Sequence, residues 1–254
     1  MNYYKTNALY EHIKNGDYKQ FKFAVGNSWQ LVFGDNNCIP RVLIFAVGVP
    51  NNEMNNSLSD IDLSAFNLLK NIANKTGLPI RCIRFACDLA EVETVLFSDE
   101  SLNFSSISMP ELSANFGSFG LPVSATQTNK YLNDLTSSAF HKWQRSSLGS
   151  ALTVSDIDMW KVDENNEPLG IYELKRSYYT LERWAPFPDD YRNFKLISNL
   201  CNMAGIGFKI VYNQRTTNPF NDSIENIKRF SVNFNNIPPI LNRGIINISD
   251  LVNL

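Results

Sequence analysis

The chain has 254 residues, 44% of them hydrophobic, and a net charge of −2. That is enough apolar material for one large domain or two small ones, and it excludes a globally disordered chain. The near-neutral charge excludes a general polyanion-binding field, so any nucleic-acid surface has to be a local patch. The four cysteines, Cys38, Cys82, Cys87 and Cys201, form no C-x-x-C pair, and His12 and His141 stand far apart. This pattern argues against zinc and for buried thiols in a reducing compartment. No apolar run approaches membrane-spanning length and no secretory leader is read, so the expectation is a soluble, cytoplasmic protein with no membrane partner.

In chain order, residues 1–15 read as a short helix or arm stopped by Gly16. Strands are expected at 20–25, 29–33 and 41–49, punctuated by Gly26-Asn27 and Asp35-Asn36-Asn37. Ser59 or Asp60 caps a helix to about Lys75, with Ala65, Phe66, Leu69, Ile72 and Ala73 on one face and Gly77 as its stop. Ser59–Asp62 repeats the letters of Ser155–Asp158, but no acid-x-Lys follows it, so the first copy reads as helix capping. Strands are expected at 79–86 and 93–97. Residues 98–128, rich in Ser, Asn, Gly and Pro, read as a linker or long loop. A helix over 129–146 carries the stripe Leu132, Leu135, Ala139 and Trp143, with Asp134, His141, Lys142 and Arg145 beside it.

The most informative stretch is Ser155–Ser177. It reads as two antiparallel strands, about 152–162 and 169–176, joined by the polar turn Asp163–Pro168. Strand alternation puts Asp156, Asp158 and Trp160 on one face of the first strand, and Glu173 and Lys175 on one face of the second. If the faces coincide, carboxylates and an ammonium converge. Such a cluster repels itself unless compensated, and a divalent cation with hard oxygen ligands compensates it. The rival reading is a solvated sheet face with a weak cross-strand salt bridge.

Beyond it, Tyr178–Pro188 interleaves Tyr178, Tyr179, Arg183 and Trp184, able either to stack bases and hold backbone or to cover a core edge. Asp189 is expected to cap a helix to about Ala204, with Arg192 and Lys195 available to phosphates. Strands are expected at 208–212, near 230–234 and near 244–248.

Asp158, followed by Glu173-Leu174-Lys175 on the next strand, resembles the PD-(D/E)XK (restriction-endonuclease-like) nuclease superfamily. The resemblance covers about Tyr131 to Arg215. It implies an α/β or α+β fold: a mixed central sheet flanked by helices, with the nuclease core in the C-terminal half (126–254) and an N-terminal α+β region (1–125). It implies a nuclease hydrolysing phosphodiester bonds, in DNA before RNA, with Mg2+ as cofactor and Mn2+ as substitute. Asp158 and Glu173 would be metal ligands together with the Leu174 carbonyl, and Lys175 would orient or activate the attacking water. Asp156 would lie behind the ligands. Arg176, Arg183, Trp184, Arg192 and Lys195 are the candidate nucleic-acid contacts. Residues 1–125 carry 9 Lys and Arg against 12 Asp and Glu, whereas 126–254 carry 14 against 13. The acidic first part is therefore expected to serve as an accessory, homodimerisation or partner-binding region. The alternative to the enzyme is a non-catalytic module that keeps the fold and binds nucleic acid or protein.

Overall fold

The computed structural model describes residues 8–16, 18–124, 139–217 and 220–253. The chain opens with helix α1 (Ala8–Asn15), which buries Leu9 and Ile13, and the short strand β1 (Phe21–Lys22). The hairpin β2 (Ser28–Gly34) and β3 (Pro40–Val49) leads into helix α2 (Asp60–Thr76). Ser59 caps α2 by accepting from the Asp62 N–H, and Gly77 ends it at φ 70°, a left-handed conformation that glycine adopts without a Cβ clash. Strands β4 (Ile80–Ala86), β5 (Thr94–Ser98) and β6 (Ser105–Ser108) follow, then helices α3 (Met109–Ser118) and α4 (Ala139–Ser147) and strand β7 (Thr153–Asp156). The C-terminal part contains the hairpin β8 (Met159–Val162) and β9 (Pro168–Ser177), helix α5 (Tyr191–Ala204), and strands β10 (Gly207–Thr217), β11 (Phe220–Val232) and β12 (Ile240–Asn247).

The architecture is mixed α/β, with two six-stranded mixed sheets flanked by helices. One sheet has the order β1-β8-β9-β10-β11-β12 and the other β6-β5-β4-β3-β2-β7. Two compact units result: residues 1–23 with 157–254, and residues 24–156. The expected division at 125/126 gives way to crossings at 23/24 and 156/157. The reason is that α1 and β1 join the C-terminal strands: Phe21 pairs with Lys161, and Leu9, Ile13 and Phe21 share a core with Met159, Tyr172, Val211 and Ile227.

Two further expectations are corrected. Residues 98–128 are not a linker, because β6 and α3 lie within them. Ser108 and Glu111 form a reciprocal capping box with Pro110 in the first turn, and Met109, Leu112 and Phe116 are buried. The strand expected over 152–162 is broken at Ile157-Asp158. β7 pairs with β2, Leu31 against Asp156, whereas β8 pairs with β9 in the other sheet. Of the helix expected over 129–146, Leu132, Asp134 and Leu135 lie outside the described residues.

The two units share one connectivity. Each has an antiparallel hairpin, a helical crossover to a parallel strand, and two more antiparallel strands. Each also has an edge strand beside the first hairpin strand. In each case that edge strand comes from the helix–strand segment preceding the other unit's hairpin: α1-β1 precedes β2-β3 but pairs with β8, and α4-β7 precedes β8-β9 but pairs with β2. The first elements are thus exchanged between the halves.

Because α1 completes the core under β8–β11, Leu9→Ala is expected to cost about 2–5 kcal/mol, the usual range for truncating a buried leucine. Urea denaturation should show this loss, and a fragment of residues 126–254 should melt without a cooperative transition.

Candidate active site

β9 is the strand from which the site is built. It is antiparallel to β8 and parallel to β10, so its middle is paired on both edges. Met159 pairs with Tyr172, and continuing that register sets Asp158 opposite Glu173. Asp158 stands just before β8, where the chain passes from one sheet to the other. Its Oδ2 accepts from the Leu174 N–H at 2.7 Å, and its carbonyl accepts from the Tyr10 hydroxyl at 3.1 Å. The sharp change of strand at Ile157-Asp158 therefore frees Asp158 from a ladder position and points its carboxylate at the acid-x-Lys strand.

Glu173 is buried, and its Oε1 lies 2.9 Å from the Lys175 ammonium. A second carboxylate, Asp190 Oδ2, lies 3.7 Å from the same ammonium. Below it, the Phe194 ring centroid is 5.5 Å away. Asp190 and Phe194 are the members that sequence reasoning missed. Asp189 was expected to cap α5, but the capping position is Asp190, its side chain makes no cap bond, and it faces Lys175 instead. The signal was the Pro188-Asp189-Asp190 run ahead of the helix.

Burial alone would lower the Lys175 pKa. Glu173, Asp190 and Asp158 outweigh it and raise the value above the ordinary 10.5, so the side chain is a firm ammonium at neutral pH. The three expected residues Asp158, Glu173 and Lys175 are thus brought together.

Asp156 is not. It ends β7 in the other sheet and is exposed, so it does not share a strand face with Asp158. Arg176 is also withdrawn from the expected phosphate contacts. Its Nη1 lies 2.6 Å from Asp222, which holds Arg215 as well, and the pair is almost wholly buried. Asp222 therefore engages the Arg176 guanidinium inside the fold. Trp184 belongs to the covering alternative. It is 3% exposed and stacks on Tyr212 with centroids 4.1 Å apart and planes 3° from parallel. The Lys228 ammonium donates to its carbonyl at 2.7 Å. No ring face is left for a base.

Arg183, Arg192 and Lys195 are exposed, as are Tyr178, Tyr179 and Phe187. These side chains come from the segment joining Lys175 to α5 and from α5 itself. They supply the aromatic and basic character that backbone-tracking sites use.

Two carboxylates and a main-chain carbonyl are hard oxygen donors, the set that Mg2+ takes alongside waters and phosphate oxygens. Among the described residues no cluster of three or more His, Cys, Asp or Glu side chains is arranged to hold a metal. A two-carboxylate site fits Mg2+, because this ion keeps several waters. Cys38, Cys82 and Cys201 are buried, and burial pushes the Cys82 thiol up to about 12, which leaves it inert. No helix among the described residues is long and apolar enough to cross a membrane. The chain matches no protein-family model, and no curated protein is significantly similar to it in sequence.

Two outcomes follow. Trp184→Ala should lower stability by about 3–5 kcal/mol, the range for a buried tryptophan, while exposed Arg183→Ala leaves thermal melting unchanged. For Lys175, a raised folded-state pKa means that its stabilising charge is fully present below pH 10.5 and fades as pH rises through the folded value. In metal-free buffer, the gap in urea midpoint between wild type and Lys175→Met should stay level from neutral pH to about pH 10 and shrink above it.

Proposed function

We propose that the chain is a Mg2+-dependent nuclease of the PD-(D/E)XK type, with a restriction-endonuclease-like core formed by residues 1–23 and 157–254. The observation that carries this reading is the gathering of Asp158, Glu173 and Lys175 at one point of β8–β9, through the Leu174 N–H and the Lys175–Glu173 ion pair. The parallel crossover from β9 through α5 to β10 supports it by placing a helix over the Glu173–Lys175 face.

Asp158, Glu173 and the Leu174 carbonyl would hold the ion, which supplies Lewis acidity and charge neutralisation at a phosphate. Asp158 is kept in register by its bond from the Leu174 N–H. Glu173 is at first engaged by Lys175. With Glu173 committed to the ion, the Lys175 ammonium would lose its nearest counter-charge. Lys175 would donate to a phosphate oxygen and hold the incoming water in line with the phosphorus, the water releasing its proton to solvent as the new P–O bond forms and the leaving oxygen taking one up from solvent. Asp190 retains the ammonium during this exchange, and Phe194 supports it from below. Arg183, Arg192 and Lys195 hold the backbone by charge, with the exposed tyrosines beside them. DNA is the polymer proposed.

Lys175→Ala is expected to lower metal-dependent cleavage by roughly 100- to 10,000-fold, the range for losing one acid–base group. Mn2+ and DNA should still bind. Turnover, Mn2+ affinity and melting measured on the same variant check this. A wild-type cleavage rate would remove Lys175 from the reaction. Binding of DNA with no cleavage by the wild type under Mg2+ or Mn2+ would turn the reading to a non-catalytic module.

A further inference from the structure

The likeness between the two units extends to single atoms of their hairpins. In the first hairpin, Asp35 Oδ1 accepts from the N–H groups of Asn37 and Ile39, at 2.9 and 3.0 Å. In the second, Asp163 Oδ1 accepts from those of Asn165 and Glu167, both at 2.8 Å. Asp35 N donates to the Ile39 carbonyl, and Asp163 N to the Glu167 carbonyl. Each loop has a left-handed residue at the same place, Cys38 at φ 62° and Asn166 at φ 61°, and each ends in proline, Pro40 and Pro168. Gly34 pairs with Pro40 across a register shift, and Val162 pairs with Pro168 across another.

The spacing between the copies then holds without a gap. Asp35 and Asp163 are 128 residues apart (163 − 35), and so are the helix-ending glycines Gly77 and Gly205 (205 − 77). Leu43 pairs with Ile80, and Ile171, 128 residues on, pairs with Phe208. The equivalence is therefore position by position from β2 to β4 and from β8 to β10.

It identifies what stands in the first copy where the second has its site. Gln30 takes the place of Asp158, Phe45 of Glu173, Ala46 of Leu174 and Val47 of Lys175. Asp62 and Phe66 match Asp190 and Phe194 in kind. Gln30 is buried, and its amide donates to the Ala65 carbonyl at 2.6 Å. Phe45 is fully buried, with its ring 6.0 Å from that of Phe66, and Val47 is buried too. Where the second copy rests an ammonium on Phe194, the first copy packs hydrocarbon on Phe66. A buried phenylalanine and a glutamine amide offer no anionic oxygen to a hard cation. The charge agrees. Residues 24–156 carry 8 Lys and Arg against 12 Asp and Glu, and the other unit 15 against 13. The first copy is therefore a poor phosphate surface as well.

We infer that the chain is a tandem pair of nuclease-like cores of which the first is catalytically silent, so that each chain has one metal centre and makes single-strand nicks in duplex DNA. The inference rests on the nuclease reading above. Each event adds one water across one P–O bond, and a single centre cuts one strand per encounter.

The test uses the whole chain. After treatment with EDTA it is titrated with Mn2+, and free ion is followed by electron paramagnetic resonance. One site per chain is expected, lost in Glu173→Gln and in Asp158→Asn, and kept in Phe45→Leu. Supercoiled plasmid is then incubated with Mg2+ at fewer chains than plasmids. Nicked circles should accumulate first, with linear molecules arising only from them. Two Mn2+ sites per chain, or linear product with no nicked precursor, overturns the inference while leaving the nuclease reading in place. Plasmid that stays intact, with one Mn2+ bound and lost in both variants, removes the nuclease reading and leaves the single centre. No Mn2+ uptake overturns both.

Discussion

A half-buried ammonium must be matched by nearby carboxylates or give up its proton, and the arrangement around Lys175 meets that constraint. Glu173 lies at 2.9 Å and Asp190 at 3.7 Å, and Asp158 adds its field from the opposite strand. Each comes from a different element. Glu173 is two residues away on β9, Asp190 leads into α5, and Asp158 sits before β8. The cluster exists only when the β8–β9 register, the crossover to α5 and the entry of α5 are all in place. The lysine's positive charge offsets the carboxylates around it, which outnumber it.

The surroundings divide by burial. Trp184 and Tyr212 stack inside the unit, with Lys228 bonded to the carbonyls that shape the turn. Arg176 and Arg215 share Asp222 in the same interior. What remains at the surface is the group of Arg183, Arg192, Lys195, Tyr178 and Tyr179. Charged and aromatic residues adjacent in sequence thus take opposite roles, one set holding the fold and the other facing solvent.

The exchange of α1-β1 and α4-β7 gives the chain its integrity. Each unit closes its sheet with a strand that belongs, by connectivity, to the other repeat. This is the intrachain counterpart of domain swapping between protomers. Neither half of the sequence contains all of a unit. In the first copy hydrocarbon, Phe45 and Val47, fills the positions where the second holds Glu173 and Lys175.

Much of this was legible in the residues. Alternating and helical spacing located most strands, both crossover helices and their closing glycines, because burial of one face imposes a period that composition records. The acid-x-Lys strand was legible for the same reason, since Glu173 and Lys175 share a face whatever the tertiary structure. The strand and helix inside 98–128 were hidden because a short strand of serines and a helix rich in Ser, Gly and Asn look like loop. The break at Ile157-Asp158 was hidden because local alternation runs straight through it; only competition between two sheets for the same segment divides Asp156 from Asp158. The same limit hid the roles of Asp190, Arg176 and Trp184, whose partners Lys175, Asp222 and Tyr212 are 15 (190 − 175), 46 and 28 (212 − 184) positions away. Sequence by itself determined which elements form and which chemical groups they carry. Tertiary structure alone decided which unit each element joins and which charges meet, because pairing across long separations depends on register and burial that no local pattern encodes.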